Sequence, residues 1–150
     1  MVRKNNSRAF SLIETLFATF LVAICASIIA ATVPLANSNR ARADMLNQAT
    51  NIAQKELEAI RQEGYPNISA SKLVSAGLLD SAIANGSGEY PFTNCDSSSY
   101  GSPKQVLPNG QGWLKITQIS NDLRQLTVRV QWTDRGKTKS VILISLVGNL

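Results

Sequence analysis

Apolar residues run almost unbroken from Phe10 to Ala36, the longest such pattern in the chain. Wound as a helix, that run measures about 40 Å, more than the roughly 30 Å hydrocarbon core of a bilayer. Glu14 is the one formal charge inside it. A carboxylate at that depth is costly in lipid, so it either snorkels to the headgroups or meets a partner. Pro34, near the far end, predicts a kink or local unwinding, because proline lacks an N–H and crowds the preceding turn. It could equally mark the membrane exit.

Beyond Ala36 the pattern becomes amphipathic. Met45, Ala49, Ile52, Ala53, Leu57 and Ile60 recur at helical spacing and predict a helix over 37–64. Glu56, Glu58, Arg61 and Glu63 read as its solvated flank. Glu56 and Glu58 are two residues apart and do not share a face. Gly64 and Pro66 supply the stop. The apolar and amphipathic parts could form one rod from Phe10 to Glu63. The stretch 65–112 is far less regular. Ser71 to Leu79 predicts a short helix or turn, carried by Leu73, Val74, Leu78 and Leu79. From Asn85 to Gly112 the Gly, Ser, Asn and Pro content predicts a loop, with Tyr90, Phe92 and Tyr100 mostly anchoring it to the core.

Strand periodicity takes over in 113–150. Trp113 to Ser120 alternates loosely, and Asn121-Asp122 is a turn signal. Leu126, Val128, Val130 and Trp132 then fall on one face, with Thr127, Arg129, Gln131 and Thr133 on the other. Asp134-Arg135-Gly136-Lys137 predicts a hairpin turn, and Lys139 to Val147 a third strand. Three sequential strands make an antiparallel meander whose apolar face needs a cover. The stripe from Met45 to Ile60 can supply it. The expected fold is therefore α+β: a long N-terminal helix packed on a small three-stranded antiparallel sheet.

Composition narrows the function. The formal net charge is +5, but Arg3, Lys4 and Arg8 account for three of the 15 cations, leaving twelve against 10 acidic side chains in the rest. That near balance gives no warrant for nucleic acid as a partner. The chain has no histidine, hence not the commonest general base or metal ligand. No cysteine is paired with a base, and there is no Gly-rich phosphate loop or metal-ligand cluster. No catalytic residue, metal or cofactor is assigned, and the protein is not expected to be an enzyme. Cys25 lies in the apolar run and reads as a small hydrophobe. Cys95 lies in the loop region and is either free or paired with another protein. Arg129, Arg135, Lys137 and Lys139 form the one basic patch worth naming.

The N-terminus adds a specific motif. A basic leader ends in the small residue Ala9, and the apolar run begins directly after it. Ordinary secretory signals place the small residue after a shorter apolar core. Ala9-Phe10-Ser11-Leu12-Ile13-Glu14, followed by an apolar helix, resembles the class III signal of type IV pilins and type II secretion pseudopilins. Ala9 stands where that family usually has glycine. The resemblance implies that 1–9 is a leader removed between Ala9 and Phe10 by prepilin peptidase, with N-methylation of Phe10. It implies that 10–36 is a membrane helix that later enters a filament core, with Glu14 guiding assembly. The helix end Ala53 to Arg61 and the ending Leu126 to Leu146 look like minor pilins of the PilV and GspI type. The partners implied are other major and minor pilins or pseudopilins, an inner-membrane assembly platform and, before assembly, membrane lipid. The implied location is the bacterial inner membrane, crossed once with the C-terminal domain periplasmic, and then a pilus or pseudopilus. Three alternatives stay open: a single-pass anchored periplasmic binding domain, a secreted protein that discards its apolar segment, and a competence pilin that captures DNA through the basic patch.

Overall fold

The computed structural model describes residues 11–95 and 101–149. Ala9, Phe10 and Tyr100 lie outside the described residues. Contacts divide the chain into two compact units, 1–41 and 42–150.

The described part of the first unit is helical. It belongs to α1, a helix assigned from Leu12 to Gln62 with Pro34 inside it. The helix assignment continues through Pro34, so the local unwinding expected there does not interrupt it. Every side chain from Ser11 to Asn37 is exposed. The hydroxyls in this stretch turn back onto the helix. Thr15, Thr19 and Thr32 donate to the carbonyls of Leu12, Leu16 and Ile29, and Ser27 and Ser38 to those of Ala23 and Leu35. These donors therefore need no water, which suits a helix in an apolar medium.

The second unit packs the rest of α1 on a sheet. After α1 come a short 3-10 turn (Tyr65–Asn67), α2 (Ala70–Ser75), β1 (Tyr90–Pro91), α3 (Pro103–Val106), β2 (Gln111–Ser120), β3 (Leu123–Asp134) and β4 (Lys137–Gly148). The strands lie in the order β1-β2-β3-β4, each antiparallel to its neighbour. The expected meander is present, but the sheet has four strands, not three. The addition is β1, two residues from the segment read as loop. Tyr90 and Pro91 pair with Leu114 and Trp113. Pro91 has no N–H to offer a further strand, in keeping with the place of β1 at the end of the strand order. The same segment also contributes α3, so it is more structured than its composition suggests, whereas α2 falls where a short helix or turn was expected.

The core forms where the two periodicities meet. Ala49, Ile52, Ala53, Leu57 and Ile60 of α1 are buried with Leu114, Leu126, Val128, Val130 and Trp132. Met45, at the head of the stripe, is partly buried. Phe92 is buried in the same cluster and confirms the anchoring role expected of it. Its ring lies against Gly112, where a Cβ would overlap it. The β3–β4 turn is Arg135-Gly136, with φ of 50° and 75°. Two positive φ values make it type I′, whose twist matches the flanking strands. The end of α1 is tied to the β2–β3 turn. The Tyr65 hydroxyl donates to the Asn121 carbonyl at 2.6 Å. Arg124 donates to the carbonyls of Tyr65 and Ile68 at 3.0 and 2.6 Å, its guanidinium over the Tyr65 ring.

The far edge, β4, is long and plain. No strand lies beside it among the described residues. On the face away from the helix it exposes Ile142, Ile144 and Leu146, opposite the more polar Arg129, Thr127 and Gln125 of β3.

Candidate functional site

Three features carry chemistry. The first is the uncovered helix of the first unit. Its exposed side chains include Leu12, Ile13, Phe17 and Phe20, each at least 61% exposed. The helix is long and apolar enough to cross a membrane. Glu14 lies in its first turn, where a carboxylate complements the partial positive charge of a helix N-terminus. Ala9 and Phe10, the expected cleavage and methylation positions, lie outside the described residues.

The second is an open groove of about 560 Å³ in the second unit. Arg42 and Leu46 of α1 form one wall, and Trp132, Asp134, Arg135, Lys137 and Lys139 of the β3–β4 hairpin form the other. The register explains the grouping. Trp132 pairs with Lys139 and Asp134 with Lys137, so their side chains share the face turned to the helix. Arg42 reaches across to Asp134 at 3.2 Å. Leu46 and the buried Trp132 supply apolar lining between the charges.

Of the four cations read as one patch, the structure brings together Arg135, Lys137 and Lys139. Arg129 stands apart. It alternates with buried Val128 and Val130, so it points from the opposite face. There it makes a two-pronged ion pair with Glu89, its Nε at 3.1 Å from Oε1 and Nη2 against Oε2. Burial works against the Glu89 charge, but hydrogen bonds from Arg129 and Asn85 prevail and hold its carboxyl below the usual range. Arg42, absent from the expected patch, takes the place of Arg129 in the groove. No periodicity could show this, since Arg42 and the hairpin are some ninety residues apart.

The third is a buried acidic cluster, which corrects the reading of Glu56 as part of a solvated flank. Glu56 is only 4% exposed. Its Oε1 has no hydrogen-bond partner among the described residues. Burial pushes its pKa up to about 8, with the Lys55 charge opposing and the Asp80 charge adding to the rise. The signal was in the spacing: Glu56 is four residues after Ile52 and four before Ile60, on the stripe itself. Beside it a void of about 10 Å³, lined in part by Phe92, Cys95 and Pro103, is on the scale of one water. The Cys95 thiol donates to Asp80 Oδ1 at 3.3 Å. Asp80 also accepts from the Asn94 backbone at 3.0 Å. Burial, the bond to Asp80 and the charges of Asp80 and Glu56 push the Cys95 thiol up to about 12. It therefore stays protonated, the reverse of an activated nucleophile.

No grouping of acidic and cysteine side chains suited to a metal ion occurs among the described residues. No protein-family model, curated protein or solved structure matches the chain.

Proposed function

We propose that the protein is an assembly subunit, a minor pilin or pseudopilin, whose N-terminal helix is held first by membrane lipid and then by the helices of neighbouring subunits. The single observation that carries this reading is the helix from Leu12 to Ala36, wholly exposed along its length, with one carboxylate in its first turn. A soluble domain would bury such a surface. Here the second unit has a core of its own, built from the later turns of α1 and the sheet. The helix therefore needs a solvent other than water.

The motif around Ala9 and Phe10 adds the processing step. Removal of the basic leader creates a new ammonium at Phe10. The carboxylate of Glu14 in an adjacent copy can pair with it, and exclusion of water strengthens that attraction. Prepilin peptidase, other pilins or pseudopilins and an inner-membrane platform are the partners this reading requires. The second unit, periplasmic before assembly, then selects neighbours in the pilus or pseudopilus.

Mass spectrometry and N-terminal sequencing of the protein from its native membrane test the reading. A chain beginning at N-methylated Phe10 is expected. An intact Met1 would leave an anchored domain that never polymerises. A start near Asn37 would mean the apolar segment is discarded.

A further inference from the structure

The groove between α1 and the β3–β4 hairpin has a use that subunit packing does not explain. Four cations, Arg42, Arg135, Lys137 and Lys139, face a single carboxylate, Asp134. That carboxylate engages Arg42 alone among the described residues, and its own side chain is 12% exposed. Arg135, Lys137 and Lys139 are exposed. The excess positive charge calls for an anion. Leu46 and Trp132 add an apolar strip that a free inorganic ion would not use.

The position of Arg42 along α1 indicates which anion. Arg42 follows the apolar run, which ends at Ala36, by six residues. Six residues reach at most about 20 Å. If that run spans the bilayer, chain length alone keeps Arg42 within reach of the far leaflet's phosphates. We propose that this groove binds the headgroup of an anionic phospholipid. The phosphate meets Arg42 and the hairpin cations, and the glycerol and first methylenes lie on Leu46 and Trp132. The site rests on the membrane-spanning part of the reading above and not on filament assembly. A subunit held this way keeps its second unit at the membrane surface until it is extracted.

The test uses the full chain in lipid nanodiscs of phosphatidylcholine, with or without 30% phosphatidylglycerol. Acetylation rates of individual lysines are read by mass spectrometry. Lys104, exposed and outside the groove, reports the general effect of a negative surface. Lys137 and Lys139 are expected to react at least fivefold more slowly in the phosphatidylglycerol discs, with Lys104 changed much less. In the double variant Arg135→Asn, Lys137→Thr the protection of Lys139 should be largely lost, because each cation removed weakens headgroup binding about fivefold. Asparagine tolerates the positive φ of position 135, so the turn survives.

Equal slowing of all three lysines, or of none, overturns the proposal. So does equal protection by millimolar glycerol phosphate in pure phosphatidylcholine discs, which would make the ligand a soluble phosphate. Stronger protection by duplex DNA would assign the groove to nucleic acid instead. Failure of the chain to enter either disc would overturn the membrane-spanning reading, a result visible before any lysine is labelled.

Discussion

Replacing Glu56 with glutamine is expected to stabilise the second unit at pH 8 and to flatten its dependence on pH. The wild-type carboxyl has its pKa raised from 4.5 to about 8 by burial. A folded-state pKa above the unfolded one means that the folded state binds the extra proton between those values. Stability is therefore greatest at and below pH 4.5 as far as this group is concerned. It falls as pH rises toward 8, and the loss is complete above 8. The shift is worth roughly 5 kcal/mol in all, at about 1.4 kcal/mol per pH unit in mid-range. Between pH 5 and 8 the loss is about 3–4 kcal/mol, a large part of the 5–15 kcal/mol that typically holds a domain together.

Glutamine has nearly the shape of the protonated acid and cannot ionise. Near pH 5 the two proteins should differ by no more than about 1 kcal/mol, whereas at pH 8 the variant should lead by roughly 3 kcal/mol. Urea unfolding of the detergent-solubilised chain, followed by tryptophan fluorescence, measures this directly. Both tryptophans, Trp113 and Trp132, lie in the second unit. Cys95 does not blur the window, because its raised pKa of about 12 acts only at high pH. Glu89, held low, acts only in acid. The exposed Glu58→Gln serves as a control and should shift stability by less than about 0.5 kcal/mol. Parallel pH profiles for wild type and Glu56→Gln would refute the reasoning, since they would show that Glu56 ionises in the folded state without cost.

Gly112→Ala places a methyl group against the Phe92 ring and should cost about 1–3 kcal/mol through forced repacking, read from the same urea curves. Arg124→Ala removes the side-chain donor to the Ile68 carbonyl and one of the two donors to the Tyr65 carbonyl, which keeps the Ile68 N–H. A loss of about 1–3 kcal/mol is expected, with faster amide exchange at the end of α1. Ile144→Lys alters an exposed side chain on the open edge of the sheet. It should leave stability within about 0.5 kcal/mol while reducing self-association in sedimentation experiments, since charged side chains discourage edge-to-edge pairing. Glu14→Ala removes the lone charge of the apolar helix and should favour residence in lipid by up to a few kcal/mol. Under the subunit reading it should nevertheless reduce recovery of the protein in sheared filaments or pseudopili. Undiminished recovery would remove Glu14 from assembly.

The parts of the fold that were legible in advance depend on periods shorter than a dozen residues. The stripe from Met45 to Ile60 and the alternation from Leu126 to Trp132 each declare a buried face, and those faces do meet in one core. The hairpin was legible because Gly136 fits a positive φ, although Arg135 adopts one as well. β1 was hidden because two residues are too few to show alternation, and its Pro91 argues against a strand. Glu56 was hidden for a different reason: charge suggested solvent, whereas position placed it on the stripe. The groove was hidden because tertiary packing alone joins Arg42 to the hairpin. Only the apolar helix depends on nothing else in the chain. Its apolar side chains are exposed, and none of them belongs to the buried core of the second unit. By length and composition alone this helix is able to cross a membrane. Under the proposed subunit reading, Glu14 decides between lipid and a neighbouring subunit, because a bare carboxylate is a burden in lipid and an asset beside an ammonium.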